Sequence, residues 1–307
     1  MAKKGDKSKK GDERQPALFD LGEAIRPEPA LKRPRYPVWT ENKAKLIQRY
    51  LKLFIHITKH GAYIDAFAGP QEPDKVEMWA ARLVLETRPR WLRNFFLFEL
   101  VPDKVTMLEQ LVKAQPARAK NEPKRTVQVF PGDMNTELCK VLNESPIGQK
   151  EAAFCLLDQR TFECHWQTVE KIAQYKRAPE NKIELFYFMP NSWLDRAFSG
   201  LKDEAKALLW WGRDDWQSVR KARGQARAQL FVERFKALGY ASVKPWPIYE
   251  REGGGRTMYF MIHATDHPEA PTLMSRAYAK AVLSDQEFEQ LVLSMPLEAS
   301  TSTPAKS

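Results

Sequence analysis

The chain has 307 residues, 43% hydrophobic and 11% aromatic, which supports a full core in one large domain and excludes a protein disordered over most of its length. With 49 Lys and Arg against 39 Asp and Glu its formal charge is +10, which favours an anionic partner without naming one. No apolar run approaches the roughly 18 residues of a membrane span, the start lacks a secretory segment, and the three cysteines have no CxxC spacing; a cytoplasmic protein with reduced thiols and no metal site is expected.

Six Lys or Arg and three Asp or Glu fall in the first fourteen residues, before a stretch containing Pro27, Pro29, Pro34 and Pro37. Residues 1–37 read as a flexible basic arm, 38–295 as the folded domain and 296–307 as a tail without core formers. A leading helix is predicted over Thr40 to Thr58, with Thr40 as N-cap and Leu46, Ile47, Tyr50, Leu53, Phe54 and Ile57 on one face.

Short runs of β-formers then alternate with helical patterns. Strands are predicted at Ala62 to Phe67, Asn94 to Glu99, Thr126 to Phe130, Ala153 to Asp158, Ile183 to Met189, Ser242 to Ile248 and Met258 to His263. The fold class is therefore α/β: a doubly wound, mainly parallel seven-stranded Rossmann-like sheet, with an antiparallel edge possible for the last two strands. Residues 190–240, rich in Trp and Leu, read as a helical insertion between strands 5 and 6, lying over the pocket. Gly253-Gly254-Gly255 reads as the turn of a hairpin.

Ligands of open α/β sheets sit beyond the carboxyl ends of the strands, and four of those ends carry an acid. The first delivers Asp65, Phe67 and the turn Ala68-Gly69-Pro70, whose small residues allow close backbone approach to a ligand. Glu99 ends the second strand, where a carboxylate accepts hydrogen bonds from both ribose hydroxyls of an adenosine moiety. Asp133 follows the third strand, in reach of an adenine amine. Asp158, with Arg160, follows the fourth and would face the substrate. Capping or solvation explains each acid singly; four in register favour an adenosine ligand, and the absence of G-x-G-x-x-G favours a methyltransferase layout over a dehydrogenase one.

Tyr63-Ile64-Asp65-Ala66-Phe67-Ala68-Gly69-Pro70, Phe98-Glu99, Gly132-Asp133-Met134-Asn135 and Leu157-Asp158 together resemble the successive motifs of the three-Cys-motif partner (TcmP) family. Trp39, Lys43 and Tyr50 in the lead helix, and Met261 to His267 with Ala270 and Met274, are also similar to it. The resemblance implies a methyltransferase-like Rossmann fold, S-adenosylmethionine as cofactor, an iron–sulfur-type partner protein carrying a three-cysteine motif, and a link to phages and mobile elements. Gly69-Pro70-Gln71 departs from the G-x-G of related turns, so that a side chain at the last position would crowd a bound anionic group. Asp158-Gln159-Arg160 departs from the usual Asp-Pro. A non-catalytic Rossmann adaptor for protein or nucleic acid is the alternative.

Three other groupings carry weaker signals. His56 with His60, and His263 with His267, are spaced four apart, a metal-compatible step without a third ligand; Cys164-His165 carries little case for a thiol nucleophile. Arg220, Arg223 and Arg227, stepped along one predicted helix face beside Trp210, Trp211 and Trp216, are candidates for nucleic-acid contact, weighed against a buried Trp cluster under a solvated basic face.

Overall fold

The computed structural model describes residues 40–71, 75, 78–249 and 256–279, all within the unit Arg33–Ser307. The arm 1–37, Trp39, the turn 253–255 and the stretch 280–307 lie outside the described residues, as does the Thr40 side chain.

Seven strands form one sheet: β1 (Ala62–Asp65), β2 (Asn94–Glu99), β3 (Thr126–Pro131), β4 (Ala153–Leu157), β5 (Glu184–Pro190), β6 (Ser242–Tyr249) and β7 (Thr257–Thr265). Their order is β3-β2-β1-β4-β5-β7-β6. The first five are parallel, β7 runs antiparallel to β5, and β6 pairs antiparallel with β7. The sheet is thus mixed, in an α/β Rossmann-like arrangement. The last two strands form the antiparallel edge expected of them, with β7 inserted between β5 and β6.

Burial explains this order. The central strands β1, β4 and β5 are buried throughout, as expected where helices cover both faces of parallel strands. β3 alternates between exposed and half-buried positions, as an edge strand does. β6, the other edge, contains Pro245 and Pro247; two residues apart, they withdraw N–H donors from the same side of the strand, as is tolerated on an edge.

The pleat sends alternate residues to two cores. Tyr63, Phe95, Leu97, Phe154, Leu156, Phe186 and Phe188 face the layer that contains α1 (Thr40–Thr58), α2 (Ala80–Glu86), α3 (Pro102–Lys113) and α10 (Ala270–Ala279). From α1, Leu46, Ile47, Tyr50, Leu51, Leu53 and Phe54 are buried there, each apolar side chain contributing roughly 1.5–3 kcal/mol of transfer free energy. Ile64, Phe96, Phe98, Cys155, Leu157, Leu185 and Tyr187 face the opposite core. That core is covered by α4 (Met134–Asn143) and α5 (Trp166–Ala173), and by the helices of the β5–β6 connection, α6 (Leu194–Ser199), α7 (Glu204–Trp211), α8 (Gln217–Lys221) and α9 (Gly224–Ala237).

The long connection is helical, yet only its first part reaches the pocket. Phe231 and Phe235 of α9 pack on Trp166 and Tyr187 in the core, and the Arg234 guanidinium lies 3.9 Å from the Trp166 ring centroid and 4.6 Å from that of Trp211. The Trp cluster is therefore buried. Arg220, Arg223 and Arg227 do not share a helix face: Arg220 belongs to α8, Arg223 precedes α9, and Arg227 is fully buried, donating to Asp195 at 2.5 Å and to the Val219 carbonyl at 3.0 Å. A guanidinium buried among Phe198 and a carboxylate holds the connection together and is not available to phosphate.

Candidate functional site

A cleft of about 780 Å³ opens along the carboxyl ends of β1 to β4. Phe67, Gly69, Glu99, Asp133, Asp158 and Arg160 line it, with Gly200, Lys202 and Asp203 of the α6–α7 loop forming the far wall. Six of the seven expected site residues therefore meet in one place. The exception is Asp65.

Asp65 ends β1 with its carboxylate turned beneath the turn, accepting from Tyr63 Oη at 2.8 Å and from the Phe67 amide at 3.2 Å. It is 1% exposed and does not line the large cleft. Burial pushes its pKa up to about 7 against those two hydrogen bonds, with Asp158 and Glu99 adding repulsion. The carboxyl instead borders a small adjoining cavity together with Lys43, Gln71 and Asp158.

Gly69 is needed for a contact internal to the protein. A Cβ there would lie 2.2 Å from Glu99 Oε2 and 2.8 Å from Lys104 Cβ, so the turn must be bare for β2 and α3 to approach it. Its N–H donates to Glu99 Oε2 at 3.0 Å, and the Val101 N–H donates to Oε1 at 2.9 Å. Two backbone donors fix the Glu99 carboxylate at the cleft wall, and each oxygen retains acceptor capacity. Beside it, Leu100 and Val101 are 66% and 43% exposed, two of four exposed large hydrophobics among the described residues.

Gly132 has φ of +129°, a backbone state that a side chain would strain. Its N–H bonds the Glu99 carbonyl at 2.9 Å, tying the ends of β3 and β2 together. Asp133 then caps α4, its Oδ1 accepting from the Asn135 amide at 3.1 Å and from Asn135 Nδ2 at 3.0 Å. The capping role weighed from sequence is present, and the same carboxylate lines the cleft. Asn135 also receives the His165 N–H at 2.8 Å and the Thr168 hydroxyl at 3.0 Å, joining the β3 and β4 ends.

Asp158 does not cap a helix. α5 starts only at Trp166, preceded by His165 with no side-chain cap. Lys43 of α1 reaches Asp158 at 2.7 Å, with side-chain exposures of 4% and 10%, and its ammonium stands 4.9 Å from the Phe188 ring and 5.1 Å from that of Tyr259. Gln71 Nε2 donates to the same carboxylate at 3.0 Å. The amide that was expected to crowd a ligand thus spends its donor on Asp158. Gln159, which stands where Pro was expected, is buried: its Oε1 accepts from Cys164 N at 3.2 Å and Trp210 Nε1 at 3.0 Å. Arg160 holds the loop through its backbone, its carbonyl accepting from Trp193 Nε1 at 2.8 Å; its guanidinium and Lys104 make no ion pair among the described residues.

Among the described residues no group of three potential metal ligands occurs, at either histidine pair or elsewhere. His263 instead bonds Glu184 at 2.6 Å in a buried cluster with Tyr50. Cys164 is fully buried, which pushes its thiol well above the ordinary range; it is not a poised nucleophile. Sequence reading missed the Lys43–Asp158 pair, for which a basic residue inside an otherwise apolar helix face was the only signal. It also missed Leu100 and Val101, whose exposure after a buried strand depends on packing.

No family model matches the chain, and no curated protein matches it significantly. Among solved structures it is similar to M. jannaschii TYW2 in complex with AdoMet, at 12% identity over 73% of this chain and 75% of that one, with a TM-score of 0.37. It is similar to Trm1 from Pyrococcus horikoshii with S-adenosyl-L-methionine at 12% identity over 77% of this chain, with a TM-score of 0.42; the match spans 58% of Trm1. The methyltransferase domain of bacterial CtHen1 matches at 14% identity, 73% and 98% coverage, and a TM-score of 0.42. At these values the likeness carries no functional assignment, and the fold rests on the strand order above. Among the described residues no helix is long and apolar enough to cross a membrane.

Proposed function

We propose that the chain is an S-adenosylmethionine-binding, methyltransferase-like protein of the TcmP kind. The observation that carries this reading is the convergence of Glu99, Asp133 and the exposed pair Leu100 and Val101 on one cleft at the carboxyl edge of the sheet. The acceptor set fits the cofactor. Glu99 has one lone pair per oxygen left for two vicinal hydroxyls, Asp133 offers an acceptor to an exocyclic amine, and Leu100 with Val101 would be covered by a flat apolar ring.

When bound, the sulfonium supplies a methyl group on a good leaving group, so the protein's task is orientation more than proton transfer. Lys43 and Gln71 fix the Asp158 carboxylate at the floor, while Arg160 and Lys104 set a positive field across the mouth. Asp158 and Arg160 would position the acceptor. Held by a buried ammonium, Asp158 serves as an acceptor of hydrogen bonds.

Titration calorimetry with S-adenosylmethionine and its demethylated product tests the reading. Both should bind, and Glu99→Gln should weaken them roughly tenfold, the equivalent of one hydrogen bond of about 1.4 kcal/mol. Absence of binding by either overturns it. The clamped Asp158 also favours the alternative, a non-catalytic Rossmann adaptor for a partner protein or nucleic acid. The iron–sulfur-type partner with a three-cysteine motif, and the mobile-element setting, are proposed on the family resemblance alone.

A further inference from the structure

At the opposite end of the sheet, where the chain enters β2 and β3, lies a second concavity of about 420 Å³. Arg90, Arg118, Lys124 and Arg125 line it with a single carboxylate, Glu122. That carboxylate is already engaged: Arg88 meets Oε1 at 2.5 Å, and Oε2 lies 3.6 Å from Arg90 and accepts from the Ala119 amide at 3.3 Å. The basic groups therefore outnumber the acid heavily.

The groove is built, and its cations are held in place. Arg90, 6% exposed, donates to the Pro116 carbonyl at 3.2 Å and to Gln115 Oε1 at 2.9 Å. Arg125 donates both terminal nitrogens to the Leu85 carbonyl at 3.2 Å, and its guanidinium carbon sits 4.5 Å from the Phe95 ring centroid. Nε of Arg90 and Nε of Arg125 are buried without a hydrogen-bond partner. Burial, followed by repulsion from Arg90, brings the Arg125 pKa down to about 10. Holding guanidinium groups together with Glu122 as the one acid in the lining is unfavourable unless a further anion settles among them. Arg118 and Lys124 stand exposed at the rim, and Arg118 is oriented by a 2.9 Å bond to the Glu122 carbonyl.

We propose that this groove is a phosphate-binding site, in which the phosphoryl group of a phosphate ester is held by Arg118, Lys124 and Arg125. Guanidinium forks match phosphoryl oxygens, while Pro116 and Val127 in the wall can take an ester's organic part. Nucleic-acid backbone and free phosphorylated compounds share this chemistry. The site is independent of the cofactor cleft.

The test uses the full chain and Arg118→Ser/Lys124→Ser. Both replaced side chains are exposed, so the melting temperature should be unchanged. Anisotropy of a labelled single-stranded oligonucleotide and calorimetry with pyrophosphate should both show binding to the wild type. The variant should lose roughly tenfold in affinity, and its salt slope for the oligonucleotide should fall by about 0.7, the value for one phosphate contact on a single strand. Variant-sensitive binding of the strand alone assigns the site to nucleic-acid backbone; variant-sensitive binding of pyrophosphate alone assigns it to free phosphate esters. If the wild type binds neither, or the variant binds as tightly as the wild type, the proposal is overturned.

Discussion

Asp65 gives the sharpest quantitative test. Its carboxyl is fully buried, and its pKa rises from 3.8 to about 7 in the folded chain. The raised value means that the folded state keeps a proton the unfolded chain has already released. Stability is therefore fully present below pH 3.8 and is lost as pH rises towards 7, at about 1.4 kcal/mol per pH unit. Between pH 5 and pH 8 the wild type should lose about 3 kcal/mol through this one group. Asp65→Asn removes the titration. Asn keeps one acceptor for Tyr63 or Phe67 and loses the other, which adds a constant offset but no slope. Urea midpoints of both proteins at pH 5 and pH 8 isolate the term, because every other titrating group is common to the two. The variant should gain about 3 kcal/mol relative to the wild type over that interval. Parallel pH dependence would refute the reasoning and show that water or relaxation reaches the carboxyl.

Further outcomes follow from the same geometry. Gly69→Ala should cost about 1–3 kcal/mol through the clash with Glu99 and Lys104, read as a lower melting temperature, and should abolish cofactor binding by displacing Glu99. Lys43→Met should destabilise by about 3 kcal/mol because it strands a buried carboxylate; in a double-mutant cycle, adding Asp158→Asn should recover part of that loss, and strict additivity would show that the pair is uncoupled. Ellman's reagent should modify Cys139 alone in the native protein, since Cys155 and Cys164 are buried, and all three thiols in denaturant; a fast second native thiol would contradict the packing.

The location of the cleft was legible early because strand ends are marked locally. Asp65, Glu99, Asp133 and Asp158 each close a run of β-formers, and parallel strands bring such ends to one edge. What each acid does there was not legible. Asp65 and Glu99 occupy equivalent places in sequence, yet one is buried beneath its own turn and the other faces the cleft. Gln71 looked like an obstacle to a ligand and Gln159 like a departure from the usual Asp-Pro; both spend their amides on partners 87 and 51 residues away in the chain, Asp158 and Trp210.

Taken alone, the sequence determined the elements: seven strands, the leading helix Thr40–Thr58 and a helical connection after β5 all follow from periodicity, which is a property of neighbouring residues. Only the tertiary structure decided that β7 lies between β5 and β6, that Lys43 neutralises Asp158, and that Arg227 is buried while Arg118 is exposed. Those outcomes depend on long-range contacts and on desolvation, and a charged side chain carries no mark in sequence of whether water or a distant partner will surround it.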